Sequence, residues 1–207
     1  TTLHYIESSR QMLRNELLLV DIGAEYNLYS GDLTRTVPVN GKFSKDQTAL
    51  YNIVLEALNK TTEAVKPGIT IRELHQISAR TISEGLLELG ILEGNLESVM
   101  ENRLYSQYFP HGVSHHLGLD VHDPGQYRAS HIHNPLQSGM VITIEPGIYI
   151  RPDENVDSRW HNIGIRIEDD ILVTDRGHEI LSDDLPRSVR EIEKIMKISP
   201  EFVKISP

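Results

Sequence analysis

Cysteine is missing from this chain altogether. No disulfide can form, every thiolate mechanism is excluded, and so is any zinc site that needs sulfur. Such a chain suits a reducing, cytoplasmic compartment. Long apolar runs are missing as well. Nothing approaches the roughly 20 consecutive apolar residues that span a bilayer, and no secretory signal is legible. Basic residues are the minority, 20 against 30 acidic ones, for a formal net charge of -10. A surface of that sign repels phosphate backbones and anionic lipid, which excludes nucleic acid and membrane as first-choice partners. Low-complexity tracts and short-period repeats are also absent. What remains is an ordinary globular balance, 39% apolar and 24% charged, in a chain long enough for one domain with a real core. Any metal it holds must sit on His, Asp and Glu.

The periodicity predicts a mixed α+β chain. LLLVDI (17–22) and LYSGDLTRTVPV (28–39) form an antiparallel hairpin turning near Tyr26 and Asn27, which sets Asp21 roughly opposite Asp32. A helix capped by Ser44 buries Leu50, Ile53, Val54, Ala57 and Leu58 and stops at Lys66-Pro67-Gly68. A capping box, Thr70 to Glu73, opens a second helix that ends at Gly90. MVITIEPGIYI (140–150) and GIRIEDDILVT (164–174) are strong strands joined by a polar loop. SVREIEKIMKIS is amphipathic and forms a C-terminal helix.

The chemistry lies in two places. HGVSHHLGLDVHD (111–123) carries His111, His115, His116 and His122. The strands carry acids where apolar side chains dominate: Asp21, Asp32, Glu145 and Glu168. Alternation puts Ile165 and Ile167 on one face of their strand, and Arg166, Glu168 and Asp170 on the other. An acid buried alone costs several kcal/mol or changes protonation state. Four such acids with one or more of the histidines make a pair of divalent-metal sites. Carboxylate-rich ligation favours Mn²⁺, Co²⁺ or Zn²⁺ over Cu²⁺. Plainer readings stand beside this one. Asp169 and Asp170 read as turn or edge acids, and Tyr149 as strand packing. Arg166 reads equally well as a salt-bridge partner. His116, His131, His133, His161 and His178 read as surface or loop residues, and His75 needs no function.

Four blocks in order, VDIGAEYNLYSGDLTRT, HGVSHHLGLDVHD, ITIEPGIY and GIRIEDD, resemble the Xaa-Pro aminopeptidase and prolidase family of pita-bread metallopeptidases. The likeness runs from His4 to about Leu181. It implies the pita-bread α+β fold, incomplete at its N-terminus because family members carry an N-terminal domain, further helices and a strand before the position of His4. On this reading residues 1–183 are the catalytic domain, and 184–207 are a C-terminal helix and tail. The resemblance implies five metal ligands: Asp21, Asp32, His115, Glu145 and Glu168, with Asp32 and Glu168 bridging two ions, most simply Mn²⁺. Glu145 matches the general base for a metal-bridging hydroxide. His122 matches the group that stabilises the tetrahedral intermediate. His111 and His4 line the leaving-group side, while Arg166 and Tyr149 hold the ligands and the substrate pocket. The implied substrate is a peptide with a free N-terminus and proline second. The relatives also imply a homodimer or homotetramer, or association with an N-terminal portion. Prolidase, a mitochondrial intermediate-cleaving peptidase, a metal-free creatinase-like enzyme and a non-enzymatic peptide- or histone-binding module are the alternatives. The complete ligand set disfavours the last two.

Overall fold

The computed structural model describes residues 9–125, 128–129, 132–152 and 155–198. The chain starts with β1 (Leu17–Ile22), β2 (Glu25–Tyr26), β3 (Tyr29–Ser30) and β4 (Leu33–Pro38), followed by α1 (Lys45–Glu63), α2 (Ile71–Glu88) and α3 (Leu96–Glu101). A short ladder of β5 (Arg128–Ala129) and β6 (Ile132–His133) precedes β7 (Val141–Ile144), β8 (Gly147–Ile150), β9 (Ile163–Arg166), β10 (Asp169–Val173) and β11 (His178–Ile180). The described chain closes with α4 (Val189–Ile195).

The helices form where local chemistry directs them. Capping boxes Ser44–Gln47, Thr70–Glu73 and Ser188–Glu191 satisfy the first amides of α1, α2 and α4. Leu50, Val54, Ala57 and Leu58 of α1 are buried, with Ile53 half-buried. Gly85 of α2 sits so close to Ile53 that a Cβ there would lie 2.6 Å from its side chain. α1 packs on β7, β8 and β9, whose Ile142, Ile144, Ile148, Ile150 and Ile165 are fully buried, and α2 packs on α1. No helix among the described residues is long and apolar enough to cross a membrane.

The strands differ from the sequence reading in three ways. First, the hairpin turns at Asn27 and Leu28, both left-handed with φ of 51° and 72°, one residue later than expected. Asp21 therefore pairs with Thr34 rather than facing Asp32. The two acids sit diagonally, which spares the sheet a direct like-charge pair. Second, each long strand is broken. Residues 140–150 split into β7 and β8 at Glu145–Pro146, and 164–174 split into β9 and β10 at Ile167–Glu168. β8 pairs with β9 and β7 with β10, so both interruptions fall at one level and leave a crease between two ladders. Pro146 cannot donate to a ladder. Simple alternation fails across the crease: Arg166, Ile167, Glu168, Asp169 and Asp170 are all buried.

Third, Asp169 and Asp170 are neither turn nor edge acids. β10 is the central strand of β11-β10-β7. Asp169, 1% exposed, accepts from Arg35 Nη2 at 2.8 Å, from Ser182 Oγ at 2.7 Å and from Arg187 Nε. Arg35 also donates to the carbonyls of Glu168 and Pro186. This clamp ties β4, β10 and the approach to α4 together. Truncating one member of a buried ion network leaves its partners uncompensated, at a cost of about 3–5 kcal/mol. Asp169→Ala is expected to lower the unfolding free energy by that much, read as a lower urea midpoint. An unchanged midpoint would show that the clamp is dispensable.

Candidate metal centre

The histidine segment lies along β7 almost as another strand. Leu117 and Thr143 donate their amides to the carbonyls of Val141 and His115, and Glu145 donates to that of Val113. Thr143 Oγ1 accepts the His115 amide at 3.1 Å. This pairing delivers His115 to the crease where Glu145 and Glu168 leave their ladders. Asp32 arrives just before β4, and its amide donates to Asp170 Oδ2 at 3.1 Å. Ligand-type atoms of Asp32, His115 and Glu168 then lie within 4.8 Å of one another.

The tautomer of His115 follows from its neighbours. Nδ1 lies 3.1 Å from the His116 carbonyl, to which it donates. Nε2 therefore faces Asp32 Oδ2 at 3.4 Å and Glu145 Oε1 at 3.6 Å. A lone pair aimed at two carboxylates is repulsive unless a proton or a cation lies between them. Donation of the second ring nitrogen to a backbone carbonyl is the usual way a metal-ligating imidazole is oriented.

The carboxylates show the same shortage of positive charge. Burial pushes Glu145 up to about 7; His115 and Arg166 oppose the rise, while Asp32 and Asp21 add to it. Glu168 is raised well above the usual carboxylate range by burial, then by Glu145 and Asp32. Burial opposes charge on His115, yet Asp32 and Glu145 bring its pKa above the ordinary imidazole value. Around Asp21, Asp32, Glu145 and Glu168 the fixed cation is Arg166, 4% exposed. It donates to Asp21 Oδ2 at 2.5 Å, to the Tyr149 hydroxyl at 2.9 Å and to Thr34 Oγ1 at 3.1 Å. Thr34 in turn donates to Glu168 Oε2 at 2.5 Å. One guanidinium against four carboxylates leaves room for divalent cations, and a donor set of oxygens plus one imidazole nitrogen fits them.

The other expected residues fall around this cluster. Burial pushes Tyr149 up to about 12, so it remains a phenol and donates to His111 Nε2 at 2.9 Å. His111 Nδ1 donates to the Gly112 carbonyl and lies 3.7 Å from Glu145 Oε2. His122 stands edge-on to His115 with ring centres 4.5 Å apart. It lines an open cavity of about 340 Å³ with Asp21 and Asp32. Asp21 is the least enclosed acid, its side chain 40% exposed and turned to Arg166. His4 and His131 lie outside the described residues, as does the side chain of His133.

Two of the plainer readings change. His178 is half-buried in β11, where its Nδ1 contacts the Val65 carbonyl at 3.1 Å. His116 is half-buried and seated against Gly125, where a Cβ would lie 1.9 Å from its ring. Sequence reasoning missed Thr34, Thr143 and Asp170 as groups that hold the centre. Thr34 was legible in principle, since period 2 puts it on the Asp32 face of the same strand.

A buried cluster of carboxylates around one imidazole lone pair, open on one side to a cavity, defines a site for divalent cations of the kind used in hydrolysis. Residues 1–175 match metallopeptidase family M24, and the chain belongs to that family. It is similar to the Xaa-Pro aminopeptidase of Haemophilus influenzae, 43% identical over 94% of this chain and 45% of that protein. It is also similar to the mitochondrial intermediate cleaving peptidase 55 of Arabidopsis thaliana, 40% identical over 95% of this chain and 38% of that one. The structure of Pseudomonas aeruginosa aminopeptidase PepP superimposes with a TM-score of 0.92 at 42% identity, over 94% of this chain and 44% of that one. The fold is the α+β pita-bread fold of these enzymes. The chain spans less than half the length of the relatives it matches.

These shifts have a sign. Raised folded-state pKa values at Glu145 and Glu168 mean that the metal-free folded chain binds more protons than the unfolded one. The stability these two groups contribute is fully present below the unfolded glutamate value of about 4.3 and is lost as pH rises toward and through their raised folded values. Glu168→Gln is expected to flatten that fall, measured as melting temperature against pH in chelator. Added Mn²⁺ is expected to raise the melting temperature of the parent at pH 7 and not that of Glu168→Gln. A parent whose melting temperature ignores both pH and Mn²⁺ would contradict this electrostatic picture.

Proposed function

We propose that this chain is the catalytic part of a metal-dependent exopeptidase that removes the N-terminal residue from peptides with proline in the second position. The observation that carries the reading is His115 Nε2 directed at Asp32 and Glu145 beside the buried Glu168. The Xaa-Pro aminopeptidase named among the relatives supports the substrate class.

Asp21, Asp32, His115, Glu145 and Glu168 would hold two divalent ions, with Mn²⁺ first and Co²⁺ or Zn²⁺ as alternatives. Bound there, the ions supply Lewis acidity and bring a shared water's pKa toward neutrality. Glu145 is placed to take a proton from that water and return it to the departing amine. His122, exposed on the cavity wall, donates to the carbonyl oxygen as charge develops there. The relay from Arg166 through Tyr149 fixes His111 for the leaving-group side, a role that the family likeness also gives to His4. Arg166 also orients Asp21 through its hydrogen bond to Oδ2. A substrate α-amine is cationic, and the cavity that holds Asp21, Asp32 and Glu25 suits it, which confines cleavage to the first residue. Proline second has no amide N–H and a fixed φ, so a shaped pocket selects it.

Residues 1–183 serve as the catalytic domain in this reading, and 184–207 as a helix and tail. The enzyme works in the cytoplasm as a homodimer or homotetramer, or with an N-terminal portion. A second reading, trimming of imported proteins in mitochondria, rests on the name of the Arabidopsis relative.

His115→Ala is expected to lose metal, measured by equilibrium dialysis. His122→Ala should keep the metal and lose about 100-fold or more in kcat. Equal metal loss in both would overturn this division of labour. Cleavage of Xaa-Pro dipeptides alone, with longer peptides untouched, would make the enzyme a prolidase instead.

A further inference from the structure

A second cavity, of about 390 Å³, is lined by a different part of the histidine segment, His111 to Val113 and His116. It shares His111 with the metal centre and is bounded by Arg72, His75, Arg103, Phe109 and His116. No aspartate or glutamate among the described residues lines it. That is unusual in a chain with 30 acids and 20 bases, and it reverses the first cavity, which Asp21, Glu25 and Asp32 line. Arg72 and Arg103 form no ion pair or side-chain hydrogen bond among the described residues. Arg103 extends from a left-handed backbone, φ 54° and ψ 35°, between α3 and the following 3-10 turn at Leu104–Gln107. A non-glycine residue there carries a conformational cost. The base of the cavity is aromatic: His75 stacks on Phe109 at 5.2 Å, and Phe109 meets His111 edge-on at 5.0 Å.

Two cavities of opposite charge thus draw on one histidine segment. We propose that the Arg72–Arg103 cavity binds the free C-terminal carboxylate of the peptide being cleaved. The inference rests on the exopeptidase reading and adds a length preference to it. The ring-to-ring steps from His111 through Phe109 to His75, 5.0 Å and 5.2 Å, trace a path of at most about three extended residues at roughly 3.3–3.6 Å each. A dipeptide's carboxylate is too close to the scissile bond to arrive there. Peptides with about two or three residues after the proline are long enough, and the arginines that line one acid-free cavity are suited to carboxylate recognition. The acidic cavity takes the amine end and the basic cavity the carboxylate end, so short free peptides are preferred over the N-termini of long chains.

The test is calorimetric binding of Ala-Pro-Gly-Gly to the full chain in chelator, as free acid and as C-terminal amide. A third arm uses Ala-Pro-Gly-Glu amide, which carries its only carboxylate on a side chain. The free acid is expected to bind about tenfold more tightly than the Gly-Gly amide, and Arg72→Gln/Arg103→Gln to reduce the acid to the amide's affinity. Melting temperatures of the double variant guard against a folding defect. Equal affinity of acid and amide in the parent would overturn the proposal, as would an acid preference that survives in a folded double variant. A gain for the Glu amide equal to that of the free acid would also overturn it, by assigning the cavity to acidic side chains. Turnover with Mn²⁺ separates this outcome from the fate of the reaction itself. Cleavage of the amide upholds the exopeptidase reading whatever the binding result. Selective acid binding without cleavage upholds the cavity and removes the reaction.

Discussion

The constraint on which the rest of this structure depends is a local deficit of positive charge. Asp32, Glu145 and Glu168 converge on the Nε2 lone pair of His115, with Arg166 as the fixed cation nearby. Negative groups cannot be brought together away from water unless something neutralises them. In the metal-free chain, protons do so, which is why burial and mutual repulsion raise Glu145 and Glu168. A divalent ion would do it better, and in the proposed reaction the same charge would activate water.

The fold is arranged to hold that deficit open. Two paired strands break at one level, so Glu145 and Glu168 leave their ladders together and point into the crease. The histidine segment is pinned along β7 by backbone bonds on both sides of His115. The neighbouring Asp169, which looks much like Glu168 in sequence, is closed off by Arg35, Arg187 and Ser182. Adjacent acids on one stretch of chain therefore have opposite fates. One is neutralised by arginine and serves the fold, and the other is left for a cation.

The legible parts of the sequence were those set by neighbours. Ser44 and Thr70 announced α1 and α2 as caps, and amphipathic spacing announced α4. The short α3 was missed, although Asn95 caps it. The hairpin register slipped because Leu28 adopts a left-handed conformation that its side chain gives no reason to expect. The break at Pro146 had a signal, and the matching break at Ile167–Glu168 had none. It is imposed by pairing with a strand 20 residues away. Burial of Asp169 was illegible because its arginines come from positions 35 and 187. The candidate ligands were individually ordinary acids and a histidine on separate segments. Their ordered blocks carried the family likeness, while their approach within a few ångströms depends on tertiary pairing. The basic cavity was not foreseen at all, since Arg72, His75 and Arg103 share no motif.

The central claim is that the carboxylate cluster exists to hold two cations. Crystals grown with Mn²⁺ and measured for anomalous scattering test this most directly. The account predicts two peaks about 3.5–4 Å apart, enclosed by Asp21, Asp32, His115, Glu145 and Glu168. An ordered but empty cluster, or ions bound only at other surface acids, would contradict it.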